Sequence, residues 1–399
     1  MLSQGRTELL FIPEIDEESP DLREPWERRD DDCEEDAMLP IPTSFQDAMF
    51  LECSYTEARQ KYFDDLPSRV TPEFAEATPV MELLRAEGLH VFVPREWKGI
   101  QGVPPVELQL KEDMPEQIRP YRSRVPAALE QQFKSELGRL IKYFYQPSDS
   151  PIASPVVVAP KATAPFIRVC GDYRNINKFI LLPKFPIPDV LRQLHKIAGF
   201  VIYIDLDVTN AFHQVIISEA TGRLLSVQTI YGQFQPKFMP EGVSPASLIL
   251  MKIMMEIFHD YMDWLIVIHD NILLLATDYQ DAYQKLVLII RRCKERNLYL
   301  KLSKSRFGIR TVDFFGYVCS ENSYHLSQER VERIAAIPFP ENAKSMQRFL
   351  GAAMYFKPFI YNYSQKTSNL DEGKLDSGLR GCFSSFQRGH QEFFHFVSP

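Results

Sequence analysis

Two aspartates stand where carboxylates are expensive to place. Asp207 closes an apolar strand predicted over Phe200–Leu206. Asp270 lies in the polar triplet His269-Asp270-Asn271 between two apolar strands, Trp264–Ile268 and Ile272–Ala276. An Asp at a hairpin tip is ordinarily turn chemistry. Two strand-end aspartates in one sheet have another use, because hard divalent cations take carboxylate oxygens. Two such ions can clamp the attacking and leaving oxygens of an in-line phosphoryl transfer. The pair alone leaves both readings open.

The elements that would hold the pair are legible from periodicity. Leu129, Phe133, Leu137, Leu140 and Ile141 form one stripe, predicting an amphipathic helix over Val125–Phe144. Ile152–Ala159 and Phe166–Cys170 are β-rich, and a short helix follows at Val190–Ala198. Ser244-Pro245 reads as a cap and first helical position, opening a helix to about Phe258. Tyr279–Asn297 predicts a second helix, with Ala282, Leu286, Ile289, Ile290 and Cys293 on one face. Val312–Cys319 predicts a strand and Lys344–Tyr355 a last helix. The fold class is α+β with a mostly antiparallel sheet.

Composition bounds the rest. Of 399 residues, 45% are hydrophobic and 25% charged, which suits a globular chain. The most apolar window, Leu265–Ala276, is too short and too polar at its centre to span a membrane, which takes about 20 apolar residues. The N-terminus lacks the layout of a signal peptide, so an intracellular chain is expected, in a cytoplasmic particle or the nucleus. The six cysteines form no CxxC pair, so neither a zinc ribbon nor a redox motif is signalled. Charge is uneven: residues 1–100 carry a net −14, and residues 101–399 a net +6. The run Asp30–Asp36 repels itself, and segment 1–93 is expected to be acidic and largely disordered, with some short helices. Eight cations fall between Arg291 and Arg310, either a solvated helix face or a phosphate-contacting surface.

Several ordered blocks decide between the readings of the aspartate pair. They are IRPYR at 118–122, PSDSPIASP at 147–155 followed by VVVAPK to Lys161, and RVCGDYRNIN at 168–177. DVTNAFHQ at 207–214 and FMPEGVSPA at 238–246 come next, then FFGYV at 314–318, IPFP at 337–340 and QRFLG at 347–351. In that order, over about 275 residues, the chain resembles the reverse transcriptase of gypsy-like LTR retrotransposons. It looks like a fragment of a longer Pol polyprotein.

The resemblance implies a right-hand polymerase. Fingers and palm would occupy 94–325, a thumb-like segment 326–370 and a tail outside the family pattern 371–399. It implies an RNA-directed DNA polymerase that joins dNTPs to a primer 3′-hydroxyl on an RNA or DNA template. Asp207 and Asp270 would be catalytic and, with Asn271, would hold Mg²⁺ or Mn²⁺. Lys161, Arg168, Phe212, Glu241 and Gly242 would bind nucleotide, with Phe212 as a steric gate against the ribose 2′-hydroxyl. Phe315, Gly316 and Tyr317 would form the primer grip, and Lys301 or Lys304 would lie near the triphosphate. No membrane partner is implied, and oligomeric state is left open.

The sequence departs from the family pattern in three places. The hairpin motif, ordinarily Tyr-x-Asp-Asp, is Ile268-His269-Asp270-Asn271, so an amide replaces a carboxylate and activity is expected to be reduced. Asp205, two residues before Asp207, faces the same side of its strand and is either a replacement carboxylate or a salt-bridge partner. Glu241 puts a negative charge where the pattern has a neutral residue. The second reading is therefore a catalytically degenerate relic that keeps the fold and at most binds nucleic acid.

Overall fold

The computed structural model describes residues 54–120, 125–160, 167–185, 192–193, 195–197, 199–314, 317–321 and 323–327, with Glu329, Glu332 and Ser345. All of them belong to the compact unit Ile41–Pro399. The expected thumb-like segment 326–370, with the helix Lys344–Tyr355, lies almost entirely outside the described residues, and the tail 371–399 wholly so.

The apolar runs on either side of the polar triplet become a hairpin, β7 (Leu265–Ile268) and β8 (Asn271–Ala276). β8 pairs antiparallel with β4 (Ile202–Asp207), and β4 with β9 (Arg306–Ile309). The sheet order is β7-β8-β4-β9, antiparallel throughout. Ile266 and Val267, Leu273 and Leu274, and Tyr203 and Ile204 are buried at consecutive positions. A sheet buried at successive residues is covered on both faces, which is why these strands show no alternation. After the short helix α6 (Glu219–Leu224), α7 (Ala246–Ile257) packs on β7 of this sheet and α8 (Tyr279–Arg296) on β4 and β8.

A second sheet has the order β1-β6-β5-β2-β3, from β1 (Tyr145–Pro147), β2 (Ser154–Pro160), β3 (Ile167–Gly171), β5 (Val227–Thr229) and β6 (Gly232–Pro236). Only β2 and β5 run parallel. The helix α5 (Glu130–Tyr143) packs on β1 and β3 and buries the predicted stripe at Phe133, Leu137, Leu140 and Ile141. Leu129 precedes it in a 3-10 turn, so the helix starts later than the sequence suggested. α7 also starts one residue late, with Pro245 as its cap.

The stretch 312–319, expected as one strand, is an antiparallel hairpin instead. β10 (Val312–Phe314) pairs with β11 (Tyr317–Ser320), which pairs with β12 (Ser323–Leu326). The apolar residues of this short stretch carry no signal that separates one strand from two.

The expectation of a largely disordered segment 1–93 fails over residues 54–92, while residues 1–53 lie outside the described residues. α1 (Tyr55–Asp65), α2 (Pro72–Ala77), α3 (Val80–Leu83), a π turn over Leu84–Gly88 and α4 (Leu89–Phe92) follow one another. Ser54 and Glu57 form a capping box at the start of α1. The helices dock on the four-stranded sheet through aromatics. Tyr62 stacks on Phe92 at 5.8 Å between ring centroids, and Phe92 meets Phe307 of β9 at 6.2 Å. Phe74 is fully buried against Tyr279. It also sits over Gly308, whose φ of +76° and lack of a Cβ admit the ring.

Removing that ring should be costly. Phe74→Ala is expected to destabilise the chain by about 3–5 kcal/mol in urea unfolding, the usual loss for a buried Phe. A loss near zero would mean that the N-terminal helices do not pack on the sheet.

Candidate nucleotidyl-transfer site

The register puts Asp207 of β4 opposite Asn271 of β8. Ile268 also pairs with Asn271, so His269 and Asp270 are the two turn residues. His269 takes a φ of +54° to make the turn. The backbone N–H of Val208 donates to the Asp270 carbonyl at 2.8 Å, and the Lys301 N–H donates to the Asp207 carbonyl at 2.8 Å. The predicted pair therefore comes together at one sheet end, fixed by backbone hydrogen bonds on both sides. Asn271 Nδ2 donates to Asp270 Oδ1 at 3.2 Å.

Asp207 is only 7% exposed. Burial pushes its carboxyl above the usual range. Lys304 opposes that rise, and the nearby charge of Asp270 adds to it. Lys304 Nζ sits 2.9 Å from Asp207 Oδ2. The sequence left Lys301 and Lys304 as equals. The structure gives the side-chain contact to Lys304 and a backbone contact to Lys301.

Asp205 is the salt-bridge partner, not a free carboxylate: Arg306 Nη2 lies 3.2 Å from its Oδ2. Burial also raises the Asp205 carboxyl, against the pull of Arg306. Four of the eight cations in the stretch 291–310 are engaged in the same way. Arg292 pairs with Asp260, Lys294 with Glu87, Lys304 with Asp207 and Arg306 with Asp205. These four charges join elements of the fold.

The DVTNAFHQ block leaves β4 through Asn210, which has a left-handed φ of 42°, into a 3-10 turn over Ala211–Gln214. Gln214 is fully buried and anchors the turn. Its Nε2 donates to the carbonyls of Thr209 (2.6 Å) and Tyr299 (2.9 Å), and its Oε1 accepts from the Tyr299 N–H at 2.8 Å. The His213 ring lies tilted against Phe144 at 4.1 Å between centroids, and burial drives its pKa down to about 3, so it stays neutral. Phe212 is half-buried on the same turn.

The second wall comes from the other sheet. Arg168 on β3 lies 3.8 Å from Glu241. That ion pair accounts for the negative charge at Glu241, which the sequence left unexplained. Gly242 has a φ of +89°. Its carbonyl accepts from Asn177 Nδ2 at 2.9 Å, and the Ser244 N–H donates to Asn177 Oδ1 at 2.9 Å. Asn177 thus clamps the 240s loop to the RVCGDYRNIN block. The Met239 N–H donates to the Val215 carbonyl at 2.8 Å, tying that loop to the turn after Asp207.

Arg168, Glu241, Thr209, Asn210 and Lys301 line one cavity of about 420 Å³. Phe212, Gly242, Asp207 and Asp270 are not among its lining residues, although Asn210 and Lys301 join it to the aspartate end of the sheet. Tyr317 is buried on β11. Lys161, Phe315 and Gly316 lie outside the described residues. Gln214 and Asn177 are the positioning residues that sequence reasoning passed over. Both stand inside motifs, but their roles depend on loops far away in the chain.

The donors fit a divalent cation in part. Two repelling carboxylates, one of them buried, call for positive charge, and Lys304 supplies it here. The set is two carboxylates and an amide. Among the described residues, no group of three or more His, Cys, Asp or Glu converges as a metal site. Among the same residues, no helix is long and apolar enough to cross a membrane.

Residues 160–319 match the family model described as reverse transcriptase (RNA-dependent DNA polymerase). The Pol polyprotein of transposon opus from Drosophila melanogaster is 27% identical over 247 residues, 61% of this chain and 24% of that protein. That of transposon 412 from the same fly is 29% identical over 281 residues, 66% of this chain and 22% of that protein. The Tf2-7 polyprotein of Schizosaccharomyces pombe is 28% identical over 220 residues, 55% of this chain and 16% of that protein. The chain thus spans about a quarter or less of these relatives. Among solved structures, a foamy viral protease-reverse transcriptase in complex with double-stranded DNA aligns with a TM-score of 0.71 at 17% identity, covering 84% of this chain and 60% of that one. Another in complex with an RNA/DNA hybrid aligns with a TM-score of 0.67 at 17% identity, covering 84% and 46%. The fold is that of these polymerases.

Burial raises the proton affinity of Asp207 and Asp205, so without a divalent cation their ionised forms oppose folding near neutral pH. That opposition fades as pH falls through their raised folded values toward those of the unfolded chain. In chelator near pH 7.5, Asp207→Asn is therefore expected to melt at or above the wild-type temperature, with the difference shrinking toward about pH 4. A lower melting temperature for Asp207→Asn at neutral pH would contradict the charge-burial reading.

Proposed function

We propose that this chain, whose residues 160–319 are a reverse transcriptase domain homologous to retrotransposon Pol polyproteins, works as an RNA-directed DNA polymerase. It would extend a primer 3′-hydroxyl with deoxynucleoside triphosphates on an RNA or DNA template. The observation that carries the proposal is the meeting of Asp207 and Asp270 at one end of a buried sheet, joined through Asn210 and Lys301 to the cavity that holds Arg168.

Each residue then has a role. Asp207 and Asp270, with the amide oxygen of Asn271, would hold Mg²⁺ or Mn²⁺. When bound, such a cation neutralises charge on the phosphoryl group in transfer. Arg168 presents a guanidinium suited to bidentate phosphate contact. Its ion pair with Glu241 is half-exposed and long, so it yields to a phosphate at little cost. Lys304 is ion-paired to Asp207 and would lie near the triphosphate. Lys161 would be a second phosphate contact. Phe212 would crowd the ribose 2′-hydroxyl, and Gly242 would let the 240s loop approach the nucleotide pair. Phe315, Gly316 and Tyr317 would hold the primer. The foamy viral neighbours, seen with an RNA/DNA hybrid and with double-stranded DNA, support a template-primer as partner.

One observation favours the second reading, a degenerate relic. Asn271 brings no charge where the family pattern has a carboxylate, which lowers affinity for a hard cation.

Primer extension on an RNA template, with Mg²⁺ and with Mn²⁺, tests the proposal. The wild-type chain is expected to extend. Asp207→Asn should lose at least about a hundredfold, as expected when a charge-stabilising catalytic group is removed. Asn271→Asp should extend faster than wild type. Silence from the wild type and from Asn271→Asp alike would leave the relic.

A further inference from the structure

The cavity beside the aspartates has a wall that the reverse transcriptase domain does not supply. Ala58, Lys61, Tyr62 and Asp65 of α1 all line it. They stand at i, i+3, i+4 and i+7, one face of the helix. This face lies about a hundred residues before the start of the matched domain at 160. The helix is firmly held. The Tyr62 hydroxyl donates to the Leu84 carbonyl at 2.7 Å, and the Tyr62 ring reaches β9 through Phe92.

The charges around the cavity sort into used and unused. Arg139 is bonded to Glu136 at 2.7 and 2.9 Å. Arg168 faces Glu241. Lys61 and Lys301 line the same cavity, and neither has an ion-pair partner among the described residues. With Arg168 freed by exchange of Glu241, three cations from three separate elements would border one space. Its volume of about 420 Å³ is typical of small-molecule sites, about 300–1,000 Å³.

We propose that α1 forms the outer wall of the nucleotide site and that Lys61 is a phosphate-binding residue for the incoming deoxynucleoside triphosphate. Lys61 completes a set with Arg168 and Lys301. This inference rests on the polymerase reading for the identity of the ligand. Its physical core is separate: a polyphosphate-binding cavity that depends on the N-terminal helix.

Calorimetric titration of the full chain with inorganic tripolyphosphate and with dGTP, in Mg²⁺, tests it. Lys61→Gln should weaken both by roughly fivefold, the effect of one partly screened charge contact. Lys61→Arg should restore wild-type binding. Arg85→Gln removes an exposed cation of the same segment that does not line the cavity, and it should change nothing. Unchanged binding in Lys61→Gln would overturn the proposal, and so would failure of the wild type to bind tripolyphosphate. Primer extension by the same preparations separates the two claims. Binding that depends on Lys61 without extension would keep the phosphate site and remove the polymerase reading. Extension with dGTP binding indifferent to Lys61 would do the reverse.

Discussion

A carboxylate buried at the end of a central strand is the constraint around which this structure is arranged. Asp207 is desolvated, and Asp270 stands at the adjoining hairpin turn with the same charge. Two like charges in a water-poor place are unfavourable unless positive charge comes with them. Lys304 provides it. The backbone of the aspartate end of β4–β8 is held on both sides, by the Val208–Asp270 and Lys301–Asp207 hydrogen bonds. This arrangement of charge is what the proposed cation site rests on.

The rest of the fold keeps that seat rigid and walled. Apolar runs in β7 and β8, and the buried residues 202–204 of β4, take both faces of the sheet out of water, so the hairpin turn projects from a stiff base. Gln214 ties the turn after Asp207 to Tyr299, and Asn177 ties the 240s loop to the block that carries Arg168. Neither side chain carries charge. Both hold chain segments that approach from far apart in sequence. The N-terminal helices close the remaining side, held to the sheet by aromatic packing and by backbone hydrogen bonds between Arg69, Thr71 and Phe307.

Much of this was legible in the sequence where a signal is local. The aspartate pair, the hairpin, the stripe in α5 and the long helix α8 all follow from apolar runs and helical spacing. The motif order identified the domain. What escaped was non-local or hidden by composition. The 54–92 helices sit in an acidic, weakly periodic stretch, and net charge argued for disorder. The Ser54–Glu57 capping box was the one local sign against it. The hairpin at 312–320 hid in a stretch too short to show its turn. The choice between Lys301 and Lys304, the partner of Asp205 and the partner of Glu241 each depend on which strands lie side by side. Spacing along the chain does not reveal that.

The central claim is that Asp207 and Asp270 form one cation site whose weakness is the amide at Asn271. Calorimetric titration of Mn²⁺ into the metal-free chain measures it most directly. One-site binding is expected for the wild type, with loss in Asp207→Asn and a gain of about tenfold or more in Asn271→Asp, as a hard cation acquires a third carboxylate. Mn²⁺ affinity that is the same in all three proteins would contradict it.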